Sequence, residues 1–220
     1  MEGTERLKNI KGAIFDLDGV IVDTAKYHYL AWKRLANELG FDFSPQDNER
    51  LKGVGRLESL EILLGIGGLS CTEDLKLALA EVKNKWYVDY ISRMDRSELL
   101  PGAEDYLLTL RRNGVRTALG SASKNAPLIL DRLQISSCFD AIVEGSMVTR
   151  SKPDPQIFLL AAEKLSLAPG DCAVYEDAFA GVEAAKRGGM LAVGIGRAED
   201  LPNADFVVPG LGSLLGAAAR

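Results

Sequence analysis

Two aspartates, Asp16 and Asp18, follow a short apolar segment near the start of the chain and are followed directly by Gly19. In an extended backbone, residues i and i+2 point to the same side and lie roughly 6.5–7 Å apart. Open α/β sheets bind ligands at the carboxyl ends of their strands, so a carboxylate pair there is suited to chemistry on a ligand. The alternative is that the two aspartates only cap or turn the chain.

Further polar side chains occur after later predicted strands. Ser121 comes after the second strand, Lys152 lies in the sequence SKPDP, and Glu176 and Asp177 come after the fourth strand. Taken singly, Lys152 has an ordinary interpretation as a solvated loop lysine. Glu176 and Asp177 also have an ordinary structural interpretation, as the N-cap and first turn of the next helix. In a parallel sheet, however, such groups line up at one edge.

The elements that position these groups alternate between strands and helices. From residue 100 onward, helical patterns separate short apolar segments, and with the first strand the predicted strands are 12–15, 115–119, 141–143, 172–175, 191–195 and 206–208. Alternation of this kind predicts an α/β fold with a parallel sheet and right-handed crossovers.

The segment between residues 26 and 94 has a different character, because no strand pattern occurs in it. Apolar residues at helical spacing instead predict a series of helices, the longest at 72–93. We therefore predict that residues 25–94 form an inserted all-helical cap domain. Residues 1–24 and 95–220 are predicted to form the α/β core.

Composition narrows the function further. The chain has 220 residues, and its content of 47% hydrophobic and 26% charged residues is typical of a globular protein. Its net charge of −5 disfavours a nucleic-acid or anionic-membrane partner. Its 3 cysteines show no metal-ligand spacing, and no apolar run precedes the first strand. We expect reduced cysteines and a cytoplasmic protein that neither enters nor spans a membrane.

Together and in this order, the four polar groups resemble the motifs of the haloacid dehalogenase superfamily of phosphoryl-transfer enzymes. The resemblance covers nearly the whole chain, and the combination is far more specific than any one motif, so it favours catalysis over a turn role for the aspartates. It implies a Rossmann-like core of parallel strands with a helical cap.

The resemblance implies a role for each carboxylate. Asp16 would be the nucleophile that becomes an aspartyl-phosphate, and Asp18 the general acid and base. Because attack of a carboxylate on a phosphate dianion needs charge neutralisation, a Mg²⁺ cofactor is implied. Its ligands would be Asp16, the main-chain carbonyl of Asp18 and Asp177, with Glu176 as a further ligand or as the residue that holds metal-bound water.

The resemblance also implies a phosphate site next to the nucleophile. Ser121 and the backbone N–H of Ala122 would hold the transferring phosphate, and Lys152 would neutralise it.

Within the superfamily, the chain looks like the β-phosphoglucomutase family. The matching segments are FDLDGVIVDTAKYHYLAW, LKGVGR, SASKN, SKPDP and GRAEDL. This resemblance implies interconversion of β-D-glucose 1-phosphate and glucose 6-phosphate through a β-glucose 1,6-bisphosphate intermediate. The expected partner is a phosphorylated sugar, and we expect a monomer.

The resemblance assigns substrate contacts to the LKGVGR segment of the cap. Arg56 would bind the non-transferring phosphate in a bidentate manner, which a lysine does less well. Lys52 and the backbone of Gly53, Val54 and Gly55 would line the sugar. Gly55 stands where the family usually has a serine.

A second set of substrate contacts is implied for SASKN. Ser123, Lys124 and Asn125 would hold the distal phosphate, partly with a helix N-terminus. Ser123 and Asn125 are equally candidates for ordinary N-caps. Ala178 is another departure, because the family commonly has serine there.

Three residues at the start of the cap complete the predicted site. His28, the only histidine, lies four residues after Thr24 and matches the hinge relay that couples cap closure to the placement of Asp18. A lone histidine is more often a structural residue, and this alternative stays open. Trp32 is expected to pack in the cap core, a position compatible with shielding the closed site from water.

Access of water separates the two reaction classes that the resemblance allows. A phospho-aspartate exposed to solvent is hydrolysed, whereas one reached mainly by a sugar hydroxyl gives a mutase. The alternative function is therefore a sugar-phosphate phosphatase, or a mutase for another glycosyl phosphate. A catalytically inactive binding protein on the same fold would be expected to lack Asp16 or the metal carboxylates, which this chain keeps.

Overall fold

A computed structural model describes residues 2–51 and 54–218 of the chain. The chain divides into two units, one formed by Met1–Asp23 with Asp95–Arg220 and the other by Thr24–Met94. We call the first the α/β unit and the second the helical unit.

The α/β unit contains a six-stranded sheet in which every pair of neighbouring strands is parallel. The strands are β1 (Gly12–Phe15), β2 (Arg116–Gly120), β3 (Ala141–Val143), β4 (Cys172–Glu176), β5 (Leu191–Ile195) and β6 (Phe206–Val208). All six predicted strands are present, so the predicted α/β fold with a parallel sheet is confirmed.

The helices lie where the helical periodicity predicts them, with one addition near the N-terminus. In chain order they are α1 (Glu2–Leu7), α2 (Ala25–Glu38), α3 (Pro45–Glu49), α4 (Arg56–Ile66), α5 (Glu73–Ile91), α6 (Ala103–Arg112), α7 (Ala126–Arg132), α8 (Gln156–Lys164), α9 (Phe179–Arg187) and α10 (Leu215–Ala218). The sequence pattern did not indicate α1. None of the helices among the described residues has both the length and the apolar character of a membrane span.

The order of the strands decides where ligands can bind. The sheet runs β3-β2-β1-β4-β5-β6, so chain order reverses direction between β1 and β4. Phe15 at the end of β1 is in register with Leu119 of β2 and with Tyr175 of β4. These three strands therefore end at one edge of the sheet, and open α/β sheets bind ligands in the crevice at such a reversal point.

Burial on both faces explains why the central strands are continuous apolar runs. Every residue of β1, β4 and β5 is buried, as parallel sheets covered by helices require. On one face, Ile14 and Val174 pack in a cluster with Phe158 of α8. This rigid layer holds the strand ends, and thus the polar groups that follow them, in place.

The helical unit has its own core. Trp32 and Leu35 of α2 pack with Phe43 and with Leu60 and Leu63 of α4 in one buried cluster. Trp32 is 2% exposed, so the predicted core packing of this side chain is confirmed.

Helix capping sets the boundaries of two of these helices. Ser44 and Asp47 form a reciprocal capping box at the start of α3, and the Thr72 hydroxyl accepts the N–H of Leu75 at the start of α5. No strand occurs in the described residues of the helical unit.

Candidate active site

The backbone carries Asp16 and Ser121 just past the ends of neighbouring strands. The N–H of Asp16 donates to the carbonyl of Tyr175 at 2.9 Å, and that of Ser121 donates to the carbonyl of Val143 at 3.0 Å. Both residues thus continue the hydrogen bonding of the sheet for one more step. Their positions are set by the ladder and do not depend on a flexible loop.

The carboxylate of Asp16 has a separate partner for each oxygen. Lys152 Nζ donates to Oδ1 at 2.5 Å, and the backbone N–H of Asp18 donates to Oδ2 at 3.0 Å. Asp16 is 7% exposed, and a buried carboxylate is retained in a fold only when such partners satisfy it. The structure therefore holds this side chain in one orientation.

Lys152 links two of the predicted site carboxylates. Besides Asp16, its ammonium donates to Glu176 Oε1 at 2.9 Å, and it lies 4.7 Å from the ring centre of Phe158. Burial lowers the pKa of Lys152, but the two carboxylates outweigh this and raise it above its ordinary value. With its side chain only 6% exposed, Lys152 is not a solvated loop lysine, and that interpretation is wrong.

Glu176 is the most deeply buried of these carboxylates, and each of its oxygens has a protein partner. Oε1 accepts from Lys152, and Oε2 accepts the backbone N–H groups of Asp177 at 2.8 Å and Ala178 at 3.2 Å. Burial raises the pKa of Glu176, and Lys152 only partly offsets this.

The N-cap interpretation of Glu176 and Asp177 is wrong. Helix α9 begins at Phe179, its N-cap is Ala178, and Ala178 makes no side-chain capping bond. Glu176 is instead the last residue of β4.

Three carboxylates form a group that could hold a cation. Asp16, Glu176 and Asp177 each offer an oxygen, and these oxygens lie within 4.8 Å of one another. Desolvation raises the pKa of Asp177, and repulsion by Glu176 and Asp16 raises it further. A cluster of carboxylate oxygens whose charges repel one another fits a hard divalent cation such as Mg²⁺. The side chain of Asp18 is not part of this group, and the metal contact through its carbonyl stays a prediction.

Gly19 gives Asp177 the space to join the group. A Cβ atom at Gly19 would lie 2.0 Å from Oδ2 of Asp177, and φ at Gly19 is +75°. Both the contact and the left-handed backbone require glycine at this position. Gly19 thus allows the loop after β1 to lie in close contact with the loop after β4.

The SASKN segment forms a chain of side-chain hydrogen bonds. Ser121 Oγ accepts the N–H of Ser123 at 3.1 Å, and Ser123 Oγ accepts the N–H of Asn125 at 3.2 Å. Because each hydroxyl accepts from the protein, its own hydrogen can point elsewhere. Ser121 is 1% exposed, whereas Ala122 and Lys124 are exposed.

The capping alternative for this segment is contradicted at Asn125. Asn125 occupies the N-cap position of α7, but its side chain makes no capping hydrogen bond. Ser123 bonds to a backbone N–H two residues on, which is a turn within the loop and precedes the helix.

In the helical unit, His28 has a cationic neighbour, Lys83, which is not among the predicted site residues. Lys83 Nζ lies 2.9 Å from His28 Nδ1, and Lys83 is only 2% exposed. Its ammonium also lies 4.3 Å from the ring centre of Trp32 and 4.8 Å from that of Tyr87. The Tyr87 hydroxyl donates to Thr24 Oγ1 at 3.4 Å, so α5 contacts all three predicted residues at the start of the helical unit.

A signal for Lys83 is present in the sequence. Ala80, Tyr87 and Ile91 form the buried stripe of α5, and Lys83 lies at the helical spacing of that same stripe. Because lysine is almost never fully buried unless it is paired, a lysine on a buried helix face indicates a nearby partner for its side chain.

His28 is held in its neutral form. Burial, followed by the positive charges of Lys83 and Arg56, lowers the pKa of His28 well below its ordinary value. Since an ammonium can only donate, Nδ1 accepts and the ring proton lies on Nε2.

The LKGVGR segment is described in part. Lys52 and Gly53 lie outside the described residues. Val54 and Gly55 are partly buried, and Gly55 is the N-cap of α4, with φ −64°. Arg56 is the first residue of α4, and its guanidinium lies 4.0 Å from the Glu81 carboxylate. Burial lowers the pKa of Arg56, yet a guanidinium stays charged in proteins.

Comparison with known proteins identifies the family of this chain. A model of the haloacid dehalogenase-like hydrolase family matches residues 10–189. β-Phosphoglucomutase of Bacillus subtilis is 47% identical over 201 residues, which cover 90% of this chain and 89% of that protein. A phosphorylated carbohydrates phosphatase of Thermotoga maritima is 32% identical and covers 82% of each chain.

Among solved structures, β-phosphoglucomutase of Clostridium difficile superimposes with a TM-score of 0.89 at 42% identity, over 93% of each chain. The family match extends from before β1 to beyond α9 and so includes every polar group at the strand ends. The chain belongs to the haloacid dehalogenase-like hydrolase family.

Proposed function

We propose that the protein is a Mg²⁺-dependent β-phosphoglucomutase, which interconverts β-D-glucose 1-phosphate and D-glucose 6-phosphate. The observation that carries the proposal is the double hydrogen bond of Lys152 to Asp16 and Glu176, at 2.5 and 2.9 Å. It joins a strand-end nucleophile candidate to the carboxylate group in one buried network. The 47% identity to the B. subtilis enzyme supports the mutase reaction within this family.

Two phosphoryl transfers with a common covalent intermediate make up the proposed reaction. In the first, phosphorylated Asp16 loses its phosphoryl group to the 6-hydroxyl of glucose 1-phosphate, and Asp18 takes the hydroxyl proton. This gives the 1,6-bisphosphate and free Asp16. In the second, a carboxylate oxygen of Asp16 bonds to the phosphorus of the C1 phosphate, and the bond between that phosphorus and the sugar oxygen on C1 breaks. Asp18 returns the proton to this oxygen, which gives glucose 6-phosphate and phosphorylated Asp16.

The other residues of the α/β unit stabilise the charge that moves in these steps. Asp16, the carbonyl of Asp18, Glu176 and Asp177 would hold Mg²⁺, which when bound offsets the repulsion between carboxylate and phosphate. The Ser121 hydroxyl and the Ala122 N–H would donate to the transferring phosphoryl oxygens. The Lys152 ammonium would add a fixed positive charge, and its 2.5 Å contact with Asp16 supports this role.

We further propose that the α/β unit is the catalytic core and the helical unit is a cap that excludes water. Arg56 would bind the phosphate that is not being transferred, because its planar guanidinium can donate two parallel hydrogen bonds. Lys52, Gly53, Val54 and Gly55 would contact the sugar.

The remaining predicted site residues have supporting roles in this proposal. Ser123, Lys124 and Asn125 would bind the distal phosphate, while Thr24, His28 and Trp32 would couple the cap to the core. We propose a cytoplasmic monomer with neither nucleic acid nor membrane as a partner. The net charge of −5 and the 3 free cysteines are consistent with these assignments.

A coupled assay tests the proposal against its main competitor. The T. maritima relative favours a sugar-phosphate phosphatase as the second candidate. The protein is given β-glucose 1-phosphate, Mg²⁺ and a catalytic amount of β-glucose 1,6-bisphosphate, and glucose 6-phosphate and free phosphate are followed together. Formation of glucose 6-phosphate without free phosphate supports the mutase. Stoichiometric release of phosphate contradicts it and supports the phosphatase.

A further inference from the structure

Gly181 is the third residue of helix α9 and lies in its first turn. The helix spans Phe179–Arg187, and Gly181 does not have a positive φ, so its backbone does not need glycine. Glycine is less favourable than alanine in a helix, by up to about 1 kcal/mol in the helix interior. A physical reason for glycine must therefore come from the space around it.

That space is occupied by the Glu176 carboxylate. A Cβ atom at Gly181 would lie 1.7 Å from Oε1 of Glu176, 2.0 Å from its Cδ and 2.4 Å from its Cγ. Real Cβ atoms do not approach other heavy atoms to such distances. The Glu176 side chain thus runs over the helix backbone at a place that only glycine leaves open.

Glu176 cannot simply turn aside. Its Oε1 accepts from Lys152, and its Oε2 accepts from the N–H groups of Asp177 and Ala178. Glu176 is 2% exposed, so a carboxylate displaced from these donors would not meet bulk water. An added methyl group at position 181 therefore requires the Glu176 carboxylate or the start of α9 to shift, and a shift of the carboxylate disturbs this network.

We propose that Gly181 is a positioning residue for the active site, which acts by leaving room for the Glu176 carboxylate between Lys152 and the start of α9. Displacement of Glu176 removes one of the two anionic partners of Lys152 and one of the three carboxylates of the candidate metal group. The inference rests on the proposed function in so far as that group binds Mg²⁺. In this proposal Gly181 acts only through its lack of a side chain and contributes no charge or hydrogen bond to the site.

The test compares Gly181→Ala with Gly65→Ala. Gly65 lies within α4, and a Cβ atom there would meet nothing within 4 Å. Mg²⁺ binding is measured by calorimetry in the absence of substrate, with melting temperature and kcat/KM as further readouts. Loss of a group that orients metal ligands typically weakens metal binding by about 10–100-fold, and we expect this for Gly181→Ala. Gly65→Ala is expected to bind Mg²⁺ as the unaltered protein does.

A second substitution separates positioning from general damage to the helix. Glu176→Asp shortens the side chain by one methylene and draws the carboxylate away from position 181. We expect Glu176→Asp to weaken Mg²⁺ binding in the unaltered protein, but to leave it unchanged or improve it in Gly181→Ala. Neighbouring residues show this kind of non-additivity when they compete for one space. A purely structural role for Gly181 would make the two losses add.

The outcomes are distinct. Unchanged Mg²⁺ affinity in Gly181→Ala, or additive losses in the double variant, overturns the inference. If Gly181→Ala does not fold, the double variant decides: recovery of folding supports a conflict with Glu176, and failure to recover overturns it. If the unaltered protein does not bind Mg²⁺, the metal assignment of the proposed function fails instead. The position of the Glu176 carboxylate in a crystal structure of Gly181→Ala then decides the inference, and an unmoved carboxylate overturns it.

Discussion

Lys83 Nζ lies 2.9 Å from Nδ1 of His28, and it also lies over the rings of Trp32 and Tyr87, 4.3 and 4.8 Å from their centres. A buried cation beside an imidazole keeps that imidazole neutral, because protonation would place two positive charges next to each other. His28 therefore serves as an acceptor in the helical unit and not as a charged group.

This relationship predicts a pH dependence of stability. The pKa of His28 is lowered in the folded protein, so below pH 6.5 the unfolded chain binds a proton that the folded chain does not. Stability should then fall as pH decreases from 6.5 to 5, with a maximal slope of about 1.4 kcal/mol per pH unit.

His28→Gln isolates this effect, because the chain has only 1 histidine. Urea unfolding at several pH values should show a smaller decrease for the variant than for the unaltered protein over this interval. Equal slopes would show that folding does not lower the pKa of His28.

Asp16→Asn should abolish turnover. An amide cannot form the covalent phosphoryl intermediate, and its single carbonyl oxygen can accept from only one of the two donors, Lys152 or the Asp18 N–H. The measurement is the coupled assay together with a test for incorporation of labelled phosphate into protein. Turnover at the unaltered rate would remove Asp16 from the role of nucleophile.

Asp18→Asn should lower kcat by about 10²–10⁴-fold, the usual contribution of a general acid and base. Substrate binding should be retained, because the backbone N–H of residue 18 still donates to Asp16 Oδ2. Calorimetric titration with β-glucose 1,6-bisphosphate checks binding independently of turnover. A variant that loses binding as well would indicate a role for the Asp18 side chain in holding the substrate.

Lys152→Met should destabilise the metal-free protein by about 3–5 kcal/mol, because it leaves two buried carboxylates without their cation. Mg²⁺ should recover part of this loss by supplying positive charge to the same carboxylates. Urea unfolding with a chelator and with Mg²⁺ measures both effects. Lys85→Met, at an exposed position of α5, is the control and should change stability little.

Mg²⁺ should also raise the stability of the unaltered protein. At a concentration 100 times its Kd, a ligand that binds only the folded state adds about 2.7 kcal/mol. Asp177→Asn should reduce this increment, since it removes one of the three clustered carboxylates. A melting temperature that does not respond to Mg²⁺ would contradict the metal assignment.

Arg56→Lys should reduce kcat/KM by about 10–100-fold, because hydrogen bonds to charged groups contribute about 1.5–3 kcal/mol and lysine loses the bidentate geometry. Stability should change little, since the ion pair with Glu81 is long, at 4.0 Å, and that carboxylate is exposed. Glu81→Gln serves as a control and should keep the kinetics of the unaltered protein. A large decrease in melting temperature for Arg56→Lys would make Arg56 a structural residue.

Much of the α/β fold could be predicted from the sequence, because its signals are local. Strands such as β1 and β4 are short apolar runs bounded by polar residues, and the helices follow from periodicity and from caps such as Ser44. Asp16 and Asp18 were assignable because they directly follow such a run. Helix α1 was not predicted, since GTERL lacks both a clear apolar stripe and a capping signal.

The partners of these residues were decided only by the tertiary structure. Lys152 reaches Asp16 across 136 positions of sequence, and Lys83 reaches His28 across 55. From the local sequence alone, Lys152 would be interpreted as a solvated lysine and Gly181 as a residue that destabilises its helix. Side-chain pairing between distant elements depends on the order of strands and the packing of helices, which no local pattern contains. The sequence alone thus determined which groups lie at the strand ends. The tertiary structure determined which of them form hydrogen bonds, ion pairs and close contacts with one another.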